Sequence, residues 1–358
     1  MSSTVKLGNL SLSVFGESHG TSIGAVIDNL PAGEELDFDR ILEFMARRAP
    51  KKDGTSTMRN EADIPKIISG FYNGKTTGEA LCAIIENSDQ HSKDYNNISA
   101  LARPGHADYT GYVRYKGAND LRGGGHFSGR LTAPLVFAGA VCGQILEKRG
   151  ITTGTHIYSI GKEKDSSFDP INLNAELLNT VKKRYLPLID CTAYERMMNV
   201  INNAKENLDS VGGIIECGAV GIECGIGEPI FDGLENRIAQ LVFGIPAVKG
   251  IEFGAGFSAA SLFGSENNDE FYMDGDTVKT RTNNAGGILG GISNGMPLVF
   301  RVAIKPTPSI SRPQNTVDFI KKENAVIEIK GRHDPCIVPR AVPCIEAALN
   351  IALMSFLC

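Results

Sequence analysis

The segment from Ser128 to Gly150 is apolar on nearly every side of a helical wheel. A helix without a polar stripe must be covered all round, so other elements have to pack on each side of this one. Pro134 sets either a late start capped by Thr132 or a kink. No stretch approaches the roughly 18 apolar residues of a membrane span. Met1–Leu12 carries no apolar run of signal-peptide length. The expected location is the cytoplasm, with no membrane partner.

Spacing predicts further helices. Asp37 is placed to cap one with Phe38, Ile41, Leu42 and Met45 on one face, ended by Pro50. Tyr194, Met197, Met198 and Ile201 mark a second, and Ile345, Ala348, Leu349, Ala352 and Leu353 a C-terminal one. Strand-like runs occupy Ser22–Ile27, Lys66–Phe71, Leu81–Glu86, Gly212–Glu223, Lys249–Phe257, Pro297–Lys305 and Ala325–Lys330. Helices and strands do not alternate strictly, which predicts an α+β layered fold rather than a doubly wound parallel sheet. No linker divides the chain, so residues 1–358 read as one domain.

Forty glycines are about 11% of the chain against a usual 7% or so. They sit within apolar segments, at 123–125, 250, 254, 256, 286–287 and 290–291. Glycine there marks close backbone approach, to a ligand or to another element. The net charge of −5 argues against nucleic acid as a partner. An anionic ligand must therefore be held by a local basic cluster. The eight cysteines (Cys82, Cys142, Cys191, Cys217, Cys224, Cys336, Cys344, Cys358) form no Cys-x-x-Cys pair. They predict reduced, mostly buried thiols rather than a metal site.

Five segments carry chemistry-bearing side chains. In Phe15-Gly16-Glu17-Ser18-His19-Gly20, His19 is either a proton donor at a cleft or a surface turn. Arg47 and Arg48 either cap a helix end or form a fork for phosphate or carboxylate. Arg103-Pro104-Gly105-His106-Ala107-Asp108 places a cation, an imidazole and a carboxylate in one turn-rich stretch, which suits proton transfer better than metal binding, since one histidine with one aspartate is a thin ligand set. Arg122-Gly123-Gly124-Gly125 opens the long apolar helix, where free N–H groups would face an anion; a tight structural turn is the alternative. Lys305-Pro306-Thr307-Pro308-Ser309 and Lys330-Gly331-Arg332-His333-Asp334-Pro335-Cys336 each follow a strand-like run. Asp334, flanked by Arg332 and His333, is either a tuned base or a solvated ion pair.

Taken together these blocks resemble one family. Gly16-Glu17-Ser18-His19-Gly20, Arg103 to Thr110, Arg122 to Gly125, Gly227-Glu228-Pro229, Asn284 to Ile292 and Lys330 to Cys336 are similar, in order, to the signature blocks of chorismate synthases. The resemblance spans about residues 8–355. It implies a layered β-α-β sandwich of antiparallel sheets around central helices. It also implies a lyase that eliminates phosphate and a ring hydrogen from 5-enolpyruvylshikimate 3-phosphate, with reduced FMN and no net redox change.

By the same resemblance, His19, His106 and Asp334 are catalytic. The FMN contacts carry over to His126, Phe127, Ser128, Pro246, Ala247, Gly290, Lys305, Pro306, Thr307, Pro308, Ser309 and Arg332. Arg47, Arg48, Arg103 and Arg130 are the candidates for NADP or substrate anions. NADPH is implied as an indirect reductant, an external flavin reductase as a partner, and a homotetramer as the assembly. The chain departs from the family at His126-Phe127-Ser128-Gly129-Arg130, where Arg-Ser-Ser-Ala-Arg is common, and at Pro246, where Asn is common. Ala49 and Gly54 replace basic family positions. Two other readings remain open here: a flavin-dependent oxidoreductase, which would consume NAD(P)H stoichiometrically, and a phosphoanion-binding protein, which would not need His19, His106 and Asp334 together.

Overall fold

Two antiparallel five-stranded sheets enclose a pair of long helices. In the computed structural model, which describes residues 3–49, 63–87, 100–329 and 334–358, the first sheet has the order Thr4–Leu7, Leu10–Gly16, Ser22–Asp28, Leu81–Glu86, Pro65–Ser69. The second has the order Val248–Phe253, Leu298–Ile304, Gly213–Val220, Thr152–Ile160, Glu163–Lys164. The layered α+β sandwich is therefore the observed architecture. The expected strands are present with shifted ends: Gly212–Glu223 shortens to Gly213–Val220, and Lys249–Phe257 stops at Phe253, where Gly254 turns with φ +55°.

The apolar segment forms the helix Thr132–Lys148, which packs against the C-terminal helix Val338–Met354. The two run parallel and close together. A Cβ on Gly139 would lie 2.2 Å from Ala347 Cβ, and Gly143 abuts Asn350. Asn350 uses that proximity, donating to Gly139 O at 3.0 Å and accepting from Thr153 Oγ1 at 2.6 Å. One hydrophobic cluster runs from Leu10 and Ile23 of the first sheet, through Phe137 and Ile345 of the helices, to Ile215 and Phe300 of the second.

Two expectations about this helix change. Pro134 lies in its first turn, so the start is late, but Thr132 is not its side-chain cap: Thr132 Oγ1 donates to Gly129 O at 2.6 Å. The stretch Gly129–Lys148 is also long and apolar enough to cross a membrane, contrary to the sequence reading. It is the covered core of this fold, with 83% of that window buried.

Asp37 caps the helix Phe38–Ala46 as expected, accepting from the N–H groups of Asp39 and Arg40. Gln144 of the central helix accepts from Asp37 N at 2.9 Å and donates to Asp37 O at 2.8 Å, fixing that helix start on the core. Pro50 lies outside the described residues. Across the second sheet, His156, Glu216, Arg301 and Glu252 stand in register on four neighbouring strands, alternating in charge. His156 is fully buried, with Nε2 2.8 Å from Glu216 and Nδ1 3.2 Å from Asp165. Cys142, Cys217, Cys336 and Cys344 are buried, whereas Cys191 and Cys224 are exposed.

Candidate active site

Both central helices begin at one cleft of about 990 Å³, whose wall includes Leu131, Thr132, Ile337 and Ala341 from their first turns. Neither helix has a side-chain cap on its first N–H groups. Two helix N-termini aimed at one space favour negative charge there. Further wall comes from the first two strands, from Arg48, and from within residues 103–110, 123–130, 240–249, 305–309 and 334–340.

Cations crowd this wall. Arg103 forms a two-pronged pair with Asp108, Nε to Oδ2 and Nη2 to Oδ1, each at 2.7 Å. Its Nη1 donates to Ser309 Oγ at 3.3 Å. Burial pushes the Asp108 carboxyl up, but hydrogen bonds from Arg103 and His106 outweigh it and hold the group well below the usual carboxylate range. Lys305 donates to Gly105 O; burial, reinforced by Lys249, pushes its ammonium down from the ordinary value.

Arg48 and Arg130 share a buried carboxylate, Asp63, one guanidinium on each oxygen. Arg48 Nε also donates to Thr132 Oγ1 at 2.8 Å, tying the arginine to the start of the central helix. Burial, only partly offset by Asp63, pushes the Arg48 guanidinium down from its usual range. Arg47 does not line the cleft and pairs with the buried Glu346 at 2.6 Å.

The glycine triplet is not a helix start. Gly123, Gly124 and Gly125 have φ of +59°, +86° and +53°, a left-handed run that only glycine adopts without strain. A Cβ on Gly125 would strike Asp120 O at 1.9 Å. Helical geometry resumes only after Ser128, whose Oγ accepts from Arg130 N at 3.3 Å. The triplet instead separates two histidines. His19, buried, packs on Gly123 outside the cleft wall, and His106 faces Gly124 from within it.

His126, Phe127, Ser128, Pro246, Ala247, Lys305, Thr307, Pro308, Ser309, Asp334, Arg48, Arg103, Arg130 and His106 line the one cleft. His19, Arg47, Gly290 and Pro306 do not, and Arg332 lies outside the described residues. The departures from the family pattern have local structural partners. His126 Nδ1 donates to Gly16 O at 3.0 Å, and Phe127 lies against Gly111, where a Cβ would come within 2.7 Å of its ring. Ala247 has φ +73° in a tight turn after Pro246, and its carbonyl accepts from Lys305 N at 2.9 Å. The sequence reading assigned no role to Asp63, Lys249 or Arg340. Arg340, in the first turn of the C-terminal helix, is six residues beyond Asp334, to which it donates at 2.6 Å. Asp63 carries no local signal; only the fold brings it between two arginines.

A cleft walled by cations, two helix N-termini, an imidazole and a carboxylate, set between antiparallel sheets, defines an enzyme that handles anionic substrates. The chorismate synthase family profile matches residues 10–358. Chorismate synthase of Dehalococcoides mccartyi is 44% identical over 348 residues, covering 97% of this chain and 94% of the relative. That of Methanothermobacter thermautotrophicus is 44% identical, covering 96% and 90%, and that of Thermococcus kodakarensis 43%, covering 97% and 96%. A crystal structure of chorismate synthase matches with a TM-score of 0.76 and 31% identity, over 98% of this chain and 92% of that one. The chain belongs to the chorismate synthase family. It is a carbon–oxygen lyase of the shikimate pathway, forming chorismate and phosphate from 5-enolpyruvylshikimate 3-phosphate, and the family implies a requirement for a reduced flavin.

Proposed function

We propose that the cleft holds reduced FMN and 5-enolpyruvylshikimate 3-phosphate side by side, and that residues 1–358 act as one domain. The observation that carries this reading is the convergence of Arg103, Arg130, Lys305 and Arg340 with two helix N-termini on one cavity of about 990 Å³. Two ligands that together bring two phosphates and two carboxylates need that density of positive charge in a chain of net charge −5. A further fit comes from Thr307, whose Oγ1 is buried in the wall with no hydrogen-bond partner among the described residues. When bound, the reduced flavin supplies transient electron density for the elimination and is regenerated.

The protein's own groups have three tasks. Arg48, Arg103 and Arg130 orient the anions and so align the leaving phosphate. Of the expected flavin contacts, residues 126–128, Pro246, Ala247, Lys305 and 307–309 line the cleft and are the ones that would hold the flavin. His106 and His19 supply or hold protons, and Asp334 helps move the proton lost from the ring. NADPH serves indirectly, through a separate flavin reductase in the cytoplasm. Exposed Ile230, Phe231, Phe257, Phe263 and Phe271 support assembly as a homotetramer, because apolar surface of that kind is commonly covered.

An anaerobic assay with chemically reduced FMN, following chorismate and phosphate together, tests the reading. One flavin should support many turnovers. Oxidation of one flavin per chorismate would replace elimination by a redox reaction.

A further inference from the structure

Asp108 lies behind the cleft wall and holds two of its lining residues, Arg103 and His106. Its Oδ2 accepts from Arg103 N at 3.0 Å and from Arg103 Nε at 2.7 Å. Its Oδ1 accepts from Arg103 Nη2 at 2.7 Å and lies 2.7 Å from His106 Nδ1. Arg103 Nη2 is 3.1 Å from His106 Nδ1. A guanidinium has no lone pair, so that closeness arises because both nitrogens donate to the same oxygen. A carboxylate this close to Nδ1 requires a hydrogen there. The other ring nitrogen, Nε2, lies 3.4 Å from the same Arg103 Nη2, from which a bare nitrogen can accept, and faces Gly124, where a Cβ would stand 3.2 Å away.

We propose that Asp108 is a positioning residue: it fixes the His106 tautomer with hydrogen on Nδ1, leaves Nε2 for the cleft, and braces Arg103 with the same carboxylate. An ion pair kept for folding alone would not need to select a ring nitrogen. The proton-handling site and the anion-binding cation thus share one anchor, so their spacing is set by a single side chain. The charge state of the anchor is secure, because the groups that bury Asp108 also keep it ionised. The consequence for turnover rests on the reading of His106 given above; the tautomer does not.

Nitrogen-15 NMR of histidine-labelled protein reads the tautomer directly, without flavin or substrate. The wild-type His106 ring in its neutral form should carry hydrogen on Nδ1. In Asp108→Asn this preference should weaken, and in Asp108→Glu it should be largely kept. Turnover in Asp108→Asn should fall by about 10–100-fold, the span for losing an orienting partner. A wild-type ring with hydrogen on Nε2 overturns the proposal whether or not any variant folds. So does an unchanged tautomer in folded Asp108→Asn. If His106→Ala retained full turnover while the tautomer depended on Asp108, the positioning would stand and the proton role of His106 would fall.

Discussion

Gly123 and His19 stand so close that a Cβ on Gly123 would lie 2.1 Å from His19 Cε1. Gly123 also has φ +59°, so any side chain there strains the backbone as well as displacing the imidazole. Gly123→Ala should therefore reproduce much of the loss seen in His19→Ala. Turnover with reduced flavin supplied should drop in both by roughly 10²–10⁴, the range for losing a general acid or base. Full turnover in folded Gly123→Ala would show that the position of His19 is immaterial.

Loss of His106 or Asp334 should act on turnover more than on binding. His106→Ala should cut kcat by about 10²–10⁴. Asp334→Asn should slow loss of the ring hydrogen and raise its kinetic isotope effect. Both should leave substrate affinity within a few-fold, because Arg103, Arg130 and Arg340 remain. Steady-state kinetics with deuterated substrate separates the two effects; wild-type behaviour in both would mean that neither residue handles a proton.

Asp63 pairs with two buried arginines at once. Asp63→Asn leaves Arg48 and Arg130 facing each other without a counter-charge. The expected cost is about 3–5 kcal/mol, the range for breaking a buried ion pair from one side. Urea denaturation measures it. A loss below about 1 kcal/mol would show that water reaches the pair.

Ala247 occupies a left-handed conformation at φ +73°, in a turn position that suits glycine. Ala247→Gly should relieve roughly 1–2 kcal/mol of steric cost while adding unfolded-state entropy worth about 0.5–1 kcal/mol. A net stabilisation of about 0.5–1 kcal/mol follows from that difference. Thermal unfolding checks it, and a destabilised Ala247→Gly would mean that the methyl group packs usefully on the cleft wall.

The buried His156 makes stability depend on pH. Burial alone would lower its pKa, but hydrogen bonds and charge from Asp165 and Glu216 outweigh this and raise it. A raised folded-state pKa contributes stability that is full below the unfolded value of about 6.5 and is lost as pH rises through the folded value. Asp165 and Glu216 act oppositely: both are lowered despite burial, so their contribution is lost as the solution becomes acidic. His156→Gln should flatten the decline in stability on the alkaline side of pH 6.5, as read by denaturation at several pH values. An equally steep decline in the variant would place its origin elsewhere.

The helix Thr132–Lys148 was legible from its unbroken apolar run, and the C-terminal helix, the helix Phe38–Ala46 and several sheet strands from apolar residues that repeat at the period of the element. Ile41 and Met45 above the cap Asp37 are an example. The central strand Thr152–Ile160 was not, because Thr153, Thr155, His156 and Ser159 are buried polar residues satisfied by distant groups. Thr153 depends on Asn350, and Thr155 on Glu346. Helix Leu234–Phe243 was missed, although Leu234, Ile238, Leu241 and Val242 repeat at helical spacing. In the cleft, motif resemblance found the residues that recur in blocks. Asp63, which works only through contacts between segments far apart in sequence, needed the structure.

The parallel pairing of the two central helices has a consequence for biosynthesis. Residues 132–148 are made early, and their main helical neighbour, 338–354, follows both sheets in chain order. Until that partner emerges from the ribosome, the inner face of the second sheet and one side of the first helix lack the helix that covers them. The nascent chain therefore carries exposed apolar surface until residues 338–354 are available, and that is when a holding chaperone has most to do.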